Sequence, residues 1–253
     1  YDLVKIMQLL RAPGGCPWDA EQTHQSIKKN LIEETYEVIE AINKDDKALM
    51  CEELGDLLMQ VVFHALMEQE SGVFDFDDVA DGVCKKLIER HPHVFGEVSV
   101  SGVDDVLTNW DAIKRKSKGQ KTTTESMLSV PRELPALMRA TKLQKKAADV
   151  GFDWSDASGA LYKVDEEAAE LRAAVANQDK ENIAEELGDL LFSAVNVSRF
   201  VKVDAEEALT AASDKFLLRF TEVERMAAER GIDMKTAGIE TLDRLWDEAK
   251  LQK

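Results

Sequence analysis

Cysteine is scarce in this 253-residue chain, which has only Cys16, Cys51 and Cys84, widely spaced and without a C-x-x-C pair. An odd, sparse set argues against a disulfide framework and for a reducing cytoplasm. Proline is nearly as rare, with five residues, and aromatics make up 6%. Together with abundant Ala, Glu, Leu and Lys, this favours helix over sheet. No apolar run approaches the ~18 residues that cross a bilayer, and the start carries no signal-peptide pattern, so no membrane partner is expected. Positive charge is also in short supply, 32 Lys and Arg against 49 Asp and Glu, a net charge of −17. That field repels a nucleic-acid backbone, so nucleic acid is not an expected partner either. Acidic proteins that handle phosphates usually do so through a divalent cation, a reading that needs ligand residues.

What the sequence does have is a repeat. EELGDLL occurs at 52–58 and again at 185–191. At that offset of 133 residues, Glu33-Glu34-Thr35-Tyr36-Glu37 falls on Glu166-Glu167-Ala168-Ala169-Glu170, and Asp46-Lys47 falls on Asp179-Lys180. Further out the match needs gaps but persists. Gly15-Cys16-Pro17-Trp18 resembles Gly151-Phe152-Asp153-Trp154, Lys86-x-x-x-Arg90 resembles Lys215-x-x-x-Arg219, and Trp110-x-x-x-Lys114 resembles Trp246-x-x-x-Lys250. Each half carries the same ordered features, so the chain reads as two similar domains. The basic, polar stretch from Lys114 to Thr124 lacks apolar periodicity and reads as exposed linker. The expected division is 1–117, linker 118–134, and 135–253.

Apolar spacing within each half is helical. Leu31, Val38, Ile39 and Ile42 predict a helix over 28–43. Leu54, Leu57, Leu58, Val61 and Val62 predict a second over 47–70, apolar around most of its circumference and therefore buried. A third ends at Arg90, before Pro92, and a fourth covers 103–114. The second half repeats this at 161–175, 180–201, 205–230 and 240–251. Val98-Ser99-Val100 is the one hint of a strand. The expected class is all-α, two tandem helical bundles.

Residues three or four apart share a helix face. Glu34 and Glu37 therefore project together, as do Glu53 and Asp56, with Glu33 beside the first pair. The same holds for Glu167, Glu170, Glu186 and Asp189, with Glu166 beside them. Leucines flank the second pair in each half, so the acids sit at the margin of a buried surface. Clustered carboxylates there repel unless protonated, paired or bridged by a cation. Oxygen ligands without Cys or His suit Mg²⁺, with Mn²⁺ as a substitute. Gly55 and Gly188, in mid-helix, suggest close approach of another helix or a ligand. Lys163 shares the face of Glu167 and Glu170, where the first half has Asn30. Downstream, Lys215 with Arg219 and Trp246 with Lys250 would supply cationic donors and a stacking ring for a polyphosphate. His64, His91 and His93 are read as structural or surface residues.

E-E-x-x-E followed by E-x-x-D on adjacent helices resembles the signature of the all-α NTP pyrophosphatases. With Gly-Cys-Pro-Trp-Asp at 15–19, Arg-His-Pro-His-Val-Phe at 90–95 and Val-Gly-Phe-Asp-Trp at 150–154, the tandem form is similar to the MazG family over nearly the whole chain. The resemblance implies Mg²⁺-dependent hydrolysis of (d)NTPs between the α- and β-phosphates, giving NMP and pyrophosphate. It also implies a homodimer in which helices of two chains complete each bundle. It places metal ligands at Glu167, Glu170, Glu186 and Asp189, Glu166 as support or water-orienting group, and the nucleotide on Lys163, Lys215, Arg219, Trp246 and Lys250. Glu34, Glu37, Glu53 and Asp56 would form a second metal site, with Glu33, Lys86, Arg90, Trp110 and Lys114 around it. Because Asn30 replaces Lys163, and His91-Pro92 ends the helix after Arg90, the C-terminal half is expected to be the main catalyst. Three alternatives stand beside this reading. One is a non-enzymatic helical scaffold or regulatory module, and another is a related dUTP or phosphoribosyl-ATP pyrophosphohydrolase. The third, a di-iron bundle, needs two Glu-x-x-His motifs, and only Glu21–His24 is present.

Overall fold

The computed structural model describes residues 2–251, without the side chain of Asp111. It separates into two compact units, residues 1–117 and 118–253. The described residues form thirteen helices, and among them there is no strand. Val98-Ser99-Val100 instead runs as coil, with the Val98 amide donating to the Pro92 carbonyl. No described helix is long and apolar enough to cross a membrane.

The first unit holds α1 (Leu3–Arg11), α2 (Pro17–Glu21), α3 (Lys28–Asn43), α4 (Lys47–Glu70), α5 (Phe76–Arg90), α6 (Pro92–Phe95) and α7 (Val103–Ser117). The long helices follow the expected spans, because the end signals are local and strong. Asp46 caps α4 by accepting from the amides of Ala48 and Leu49, and Asp75 forms a reciprocal capping box with Asp78 on α5. The core gathers Met7 of α1, Ile27 before α3, and Val62, Phe63, Leu66 and Met67 of α4. Arg11 ties α1 to the end of α4 through a double hydrogen bond to Glu70 at 2.7 and 2.6 Å, and donates to the Asp19 carbonyl at 2.6 Å.

The second unit holds α8 (Thr123–Leu128), α9 (Ala136–Ala148), α10 (Ala157–Asn177), α11 (Lys180–Phe200), α12 (Ala205–Glu229) and α13 (Ile239–Leu251). Asp179 caps α11 as Asp46 caps α4. The turns before them match as well, with Asp45 and Gln178, 133 positions apart, both left-handed at φ 52° and 56°. The segment 118–134, expected as linker, belongs to this unit and contains α8. A Thr122–Glu125 capping box starts that helix, and Ser126 is buried on it against Lys146 of α9.

One expectation fails by half. The C-terminal part of α4 is buried, but Leu54, Leu58 and Val61 are 49%, 47% and 37% exposed. The reason is coverage, since α1 packs on the far half of α4 while the near half meets α3 on one side only. On α11, Leu187 and Leu191 are open in the same way. Gly55 and Gly188 also have open space where a Cβ would stand, so among the described residues nothing makes the close approach expected there.

Candidate metal and nucleotide site

Helices α10 and α11 form a tightly associated hairpin, as do α3 and α4. The short turn fixes the register, so acids near the end of one helix face acids near the start of the next. In the second unit, carboxylate oxygens of Glu167, Glu170 and Glu186 lie within 4.8 Å of one another. In the first, Glu34, Glu37 and Glu53 do the same. Asp189 and Asp56 are the outer members. Neither belongs to a three-oxygen group in this structure, yet both press electrostatically on it, Asp189 on Glu186 and Asp56 on Glu34. Glu52 and Glu185, one position off the shared face, are exposed.

The electrostatics follow from crowding. Burial, then repulsion from Glu170, Glu167 and Asp189, pushes the Glu186 carboxyl above its ordinary range. Glu34 is raised by burial and by Asp56 and Glu37, and Glu53 by burial and Glu37. All three respond as groups short of positive charge. The donor set is oxygen alone, three carboxylates converging on one point, and this fits a hard divalent cation.

Among the described residues, only the second unit supplies a lysine at the cluster. Lys163 Nζ lies 2.5 Å from Glu167 Oε1 and 3.0 Å from Glu166 Oε2, with the Glu167 side chain only 8% exposed. Those carboxylates hold the ammonium well above the usual lysine range. At Asn30 the first unit has no such charge. There Gln60 Nε2 donates to Glu34 Oε1 at 3.5 Å. Glu33 stands exposed beside that group, as its position one residue off the face requires.

Beside each cluster is a small cavity. The C-terminal one, about 170 Å³, is bounded by Trp154, Lys163, Glu167, Asp189, Ser193 and Asn196. The N-terminal one is about 140 Å³ and includes Trp18, Asn30, Glu34 and Gln60 in its wall. The tryptophans of the repeated G-x-x-W motif, which carried no assigned role, are therefore cavity walls. Gly159 explains the placement of Trp154, because a Cβ at 159 would lie 2.3 Å from the indole. The other unforeseen lining residues follow the acids by a fixed step, since Gln60 is four residues after Asp56 and Ser193 four after Asp189. That helical spacing was the available signal.

Other candidate residues lie elsewhere in the unit. Lys215, Arg219, Trp246 and Lys250 belong to α12 and α13, and neither helix lines the cavity at Glu167. Arg219 lies 6.0 Å from the Trp246 ring centroid, the Phe216 ring lies tilted against that of Trp246 at 5.2 Å, and Lys250 pairs with Asp247 at 2.8 Å. The first unit repeats this pattern on α5 and α7, with Arg90 5.6 Å from the Trp110 centroid and His91 edge-on to Trp110 at 4.9 Å. Lys86 is exposed on α5, and Lys114 lies on α7, one turn after Trp110. His93 sits near His91, whereas His64 pairs with His24 through facing Nδ1 atoms 2.7 Å apart.

Comparisons with known proteins agree with the duplicated plan. The family model described as the MazG nucleotide pyrophosphohydrolase domain matches twice, at residues 22–95 and 158–223. A nucleoside triphosphate pyrophosphohydrolase of Escherichia coli is 47% identical over 99% of this chain and 97% of its own length. A protein of Thermotoga maritima named nucleoside triphosphate pyrophosphohydrolase/pyrophosphatase MazG is 45% identical, covering 98% of this chain and 94% of its own. Bacillus subtilis YabN, named as uncharacterized, is 50% identical over 97% of this chain, which spans 50% of it.

Proposed function

Since the chain belongs to the MazG nucleotide pyrophosphohydrolase family, a family of enzymes, we propose that it hydrolyses nucleoside triphosphates between the α- and β-phosphates, releasing NMP and pyrophosphate with Mg²⁺. The observation that carries this reading is the convergence of the Glu167, Glu170 and Glu186 carboxylates beside a cavity that also presents Lys163 and a half-exposed tryptophan. Glu167, Glu170 and Glu186 would hold the cation, with Asp189 joining them, and Mn²⁺ is an acceptable substitute. When bound, the ion supplies charge neutralisation at the phosphate oxygens and makes a nearby water more acidic.

The protein's own groups do the rest. Lys163 gives up part of its pairing with Glu167 and donates to a phosphate oxygen, where negative charge builds on the departing pyrophosphate. Glu166, which pairs with Lys163 at 3.0 Å, accepts the proton of the attacking water. Trp154 and the carboxamide of Asn196 bound the space for the remainder of the nucleotide. Lys215, Arg219, Trp246 and Lys250 on the neighbouring helix pair form a further cationic and aromatic surface for it.

A homodimer is part of this reading. Leu187 and Leu191 on α11, and Leu54 and Leu58 on α4, are apolar residues next to the acids that one chain leaves uncovered, and a second copy would bury them. The protein would act in the cytoplasm on the free nucleotide pool, without nucleic acid or membrane. The test is incubation with each of the eight (d)NTPs and Mg²⁺, with products separated by chromatography. NMP plus pyrophosphate supports the proposal. NDP plus phosphate, or intact substrate, defeats it, and cleavage of dUTP alone would favour the narrower pyrophosphohydrolase reading.

A further inference from the structure

Behind Asn196 in the wall of the C-terminal cavity stands Arg199, a residue that the hydrolytic reading leaves without a role. All three nitrogens of its guanidinium are engaged, and on two different elements. Nη1 and Nη2 donate to the two carboxylate oxygens of Asp153 at 2.8 and 2.5 Å, the planar fork by which arginine holds a carboxylate. Nε donates to Asn196 Oδ1 at 3.0 Å. Asp153 directly precedes Trp154, and its Oδ1 also accepts from the Trp154 amide at 3.0 Å. The Arg199 and Asp153 side chains are only 18% and 23% exposed, which sets them apart from open surface pairs that contribute little. One side chain thus joins the loop that carries the tryptophan wall to the helix that carries the carboxamide wall.

The bond from Nε also decides which way the carboxamide points. A guanidinium can only donate, so the oxygen of Asn196 faces Arg199 and the NH2 group faces away from it. That NH2 makes no hydrogen bond among the described residues and is not sealed from solvent, on a residue that borders the cavity. Asn196 follows Asp189 by seven residues, about 10 Å further along α11, so the donor stands on the side of the cavity away from the acidic cluster. The duplicated fold does not need this arrangement. At the offset of 133 residues the first half has Phe63 for Asn196 and Leu66 for Arg199, and its G-x-x-W motif has Pro17 for Asp153. Phe63 and Leu66 lie in the core of that unit. The same helix hairpin therefore forms with apolar side chains at the matched positions, and the polar trio is particular to the half that carries Lys163.

We infer that Arg199 is a positioning residue of the C-terminal cavity, which anchors Trp154 and turns the Asn196 NH2 toward the nucleoside part of a bound nucleotide. Arg199 itself touches no substrate. With the phosphates held at the acidic cluster and Lys163, the NH2 donates to an oxygen or ring nitrogen beyond them. This role rests on the nucleotide reading proposed above for the same cavity.

The experiment is calorimetric titration of the full chain in Mg²⁺ with two ligands. One is the ATP analogue with a methylene bridge between the α- and β-phosphorus atoms, and the other is inorganic tripolyphosphate, which has the charges without the nucleoside. Arg199→Met should weaken the analogue about five- to tenfold, the effect of one hydrogen bond, and leave tripolyphosphate unchanged. Asn196→Asp keeps an acceptor for Arg199 Nε and lacks the NH2, so it should give the same split without loss of thermal stability. Arg199→Lys keeps the charge pair with Asp153 but not the fork, and should retain most of the stability without restoring the affinity. With ATP as substrate, all three variants should raise KM more than they lower kcat. Equal weakening of both ligands, unchanged analogue binding by Arg199→Met or Asn196→Asp, full affinity in Arg199→Lys, or a wild type that binds neither ligand overturns the inference. A wild type that binds the analogue yet releases no pyrophosphate from ATP, beside the expected split, would fell the hydrolytic reading and leave the positioning role standing.

Discussion

Replacing Lys163 by Met tests the idea that this ammonium stands in for a cation at the acidic cluster. Its two ion pairs differ in worth. An exposed i,i+4 pair contributes only about 0.3–0.5 kcal/mol, whereas stripping the partner from a fully buried charge costs about 3–5 kcal/mol. Here the Glu167 side chain is 8% exposed and that of Lys163 33% exposed, which places the pair between those limits. A loss of about 2 kcal/mol is expected in EDTA, or roughly 6 °C in melting temperature for a unit of this size. In saturating Mg²⁺ the cation takes over the neutralisation, so the difference between variant and wild type should shrink to about a third. Mg²⁺ should also bind the variant more tightly, because no ammonium has to be displaced from Glu167 first. Thermal unfolding in both buffers, with calorimetric titration of the metal alone, measures each quantity. An equal loss with and without Mg²⁺, or weaker metal binding by the variant, would refute the reasoning.

Three further outcomes follow from local geometry. Glu186 carries a carboxyl pKa raised by burial and its acidic neighbours. A raised folded-state pKa means stability that is present below the ordinary carboxylate range and lost as pH rises through the raised value. Metal-free Glu186→Gln should therefore lose less stability than wild type between about pH 4 and neutrality, read by chemical denaturation, and an unchanged slope would count against the assignment. Gln178 pays for a left-handed turn at φ 56° without being glycine, so Gln178→Gly should raise stability by up to about 1 kcal/mol, and a loss would show that its side chain matters more than its backbone. Leu191→Glu places a charge on the open face of α11, and sedimentation should show dissociation of the proposed dimer, while an unaltered mass would move the interface elsewhere.

Much of this architecture was legible because its signals are local. Asp46, Asp75, Asp179 and Asp204 mark helix starts by capping, and Pro92 marks an end. The carboxylate groups were legible for the same reason, since helical spacing brings Glu167 beside Glu170 and the repeated turn brings Glu186 across to them. Short or weakly periodic helices were not foreseen. Among them, α1 is positioned by Arg11 reaching Glu70 across 59 positions of chain, a tertiary contact without a sequence pattern. Exposed helix faces misled in the other direction. Apolar residues all around the first half of α4 predicted burial, but a single chain does not provide the covering helix. The cavity walls were half visible, in that the G-x-x-W repeat was evident but the packing of Trp154 onto Gly159 belongs to three dimensions.

The most direct measurement of the central claim is pyrophosphate release from ATP with Mg²⁺ by three proteins: wild type, Glu167→Gln with Glu170→Gln, and Glu34→Gln with Glu37→Gln. The account predicts release by wild type and by the N-terminal variant, and loss of at least about a thousandfold in the C-terminal variant, the scale of removing charge-stabilising groups from a reacting centre. Release that survives the C-terminal change and disappears with the N-terminal one would contradict it.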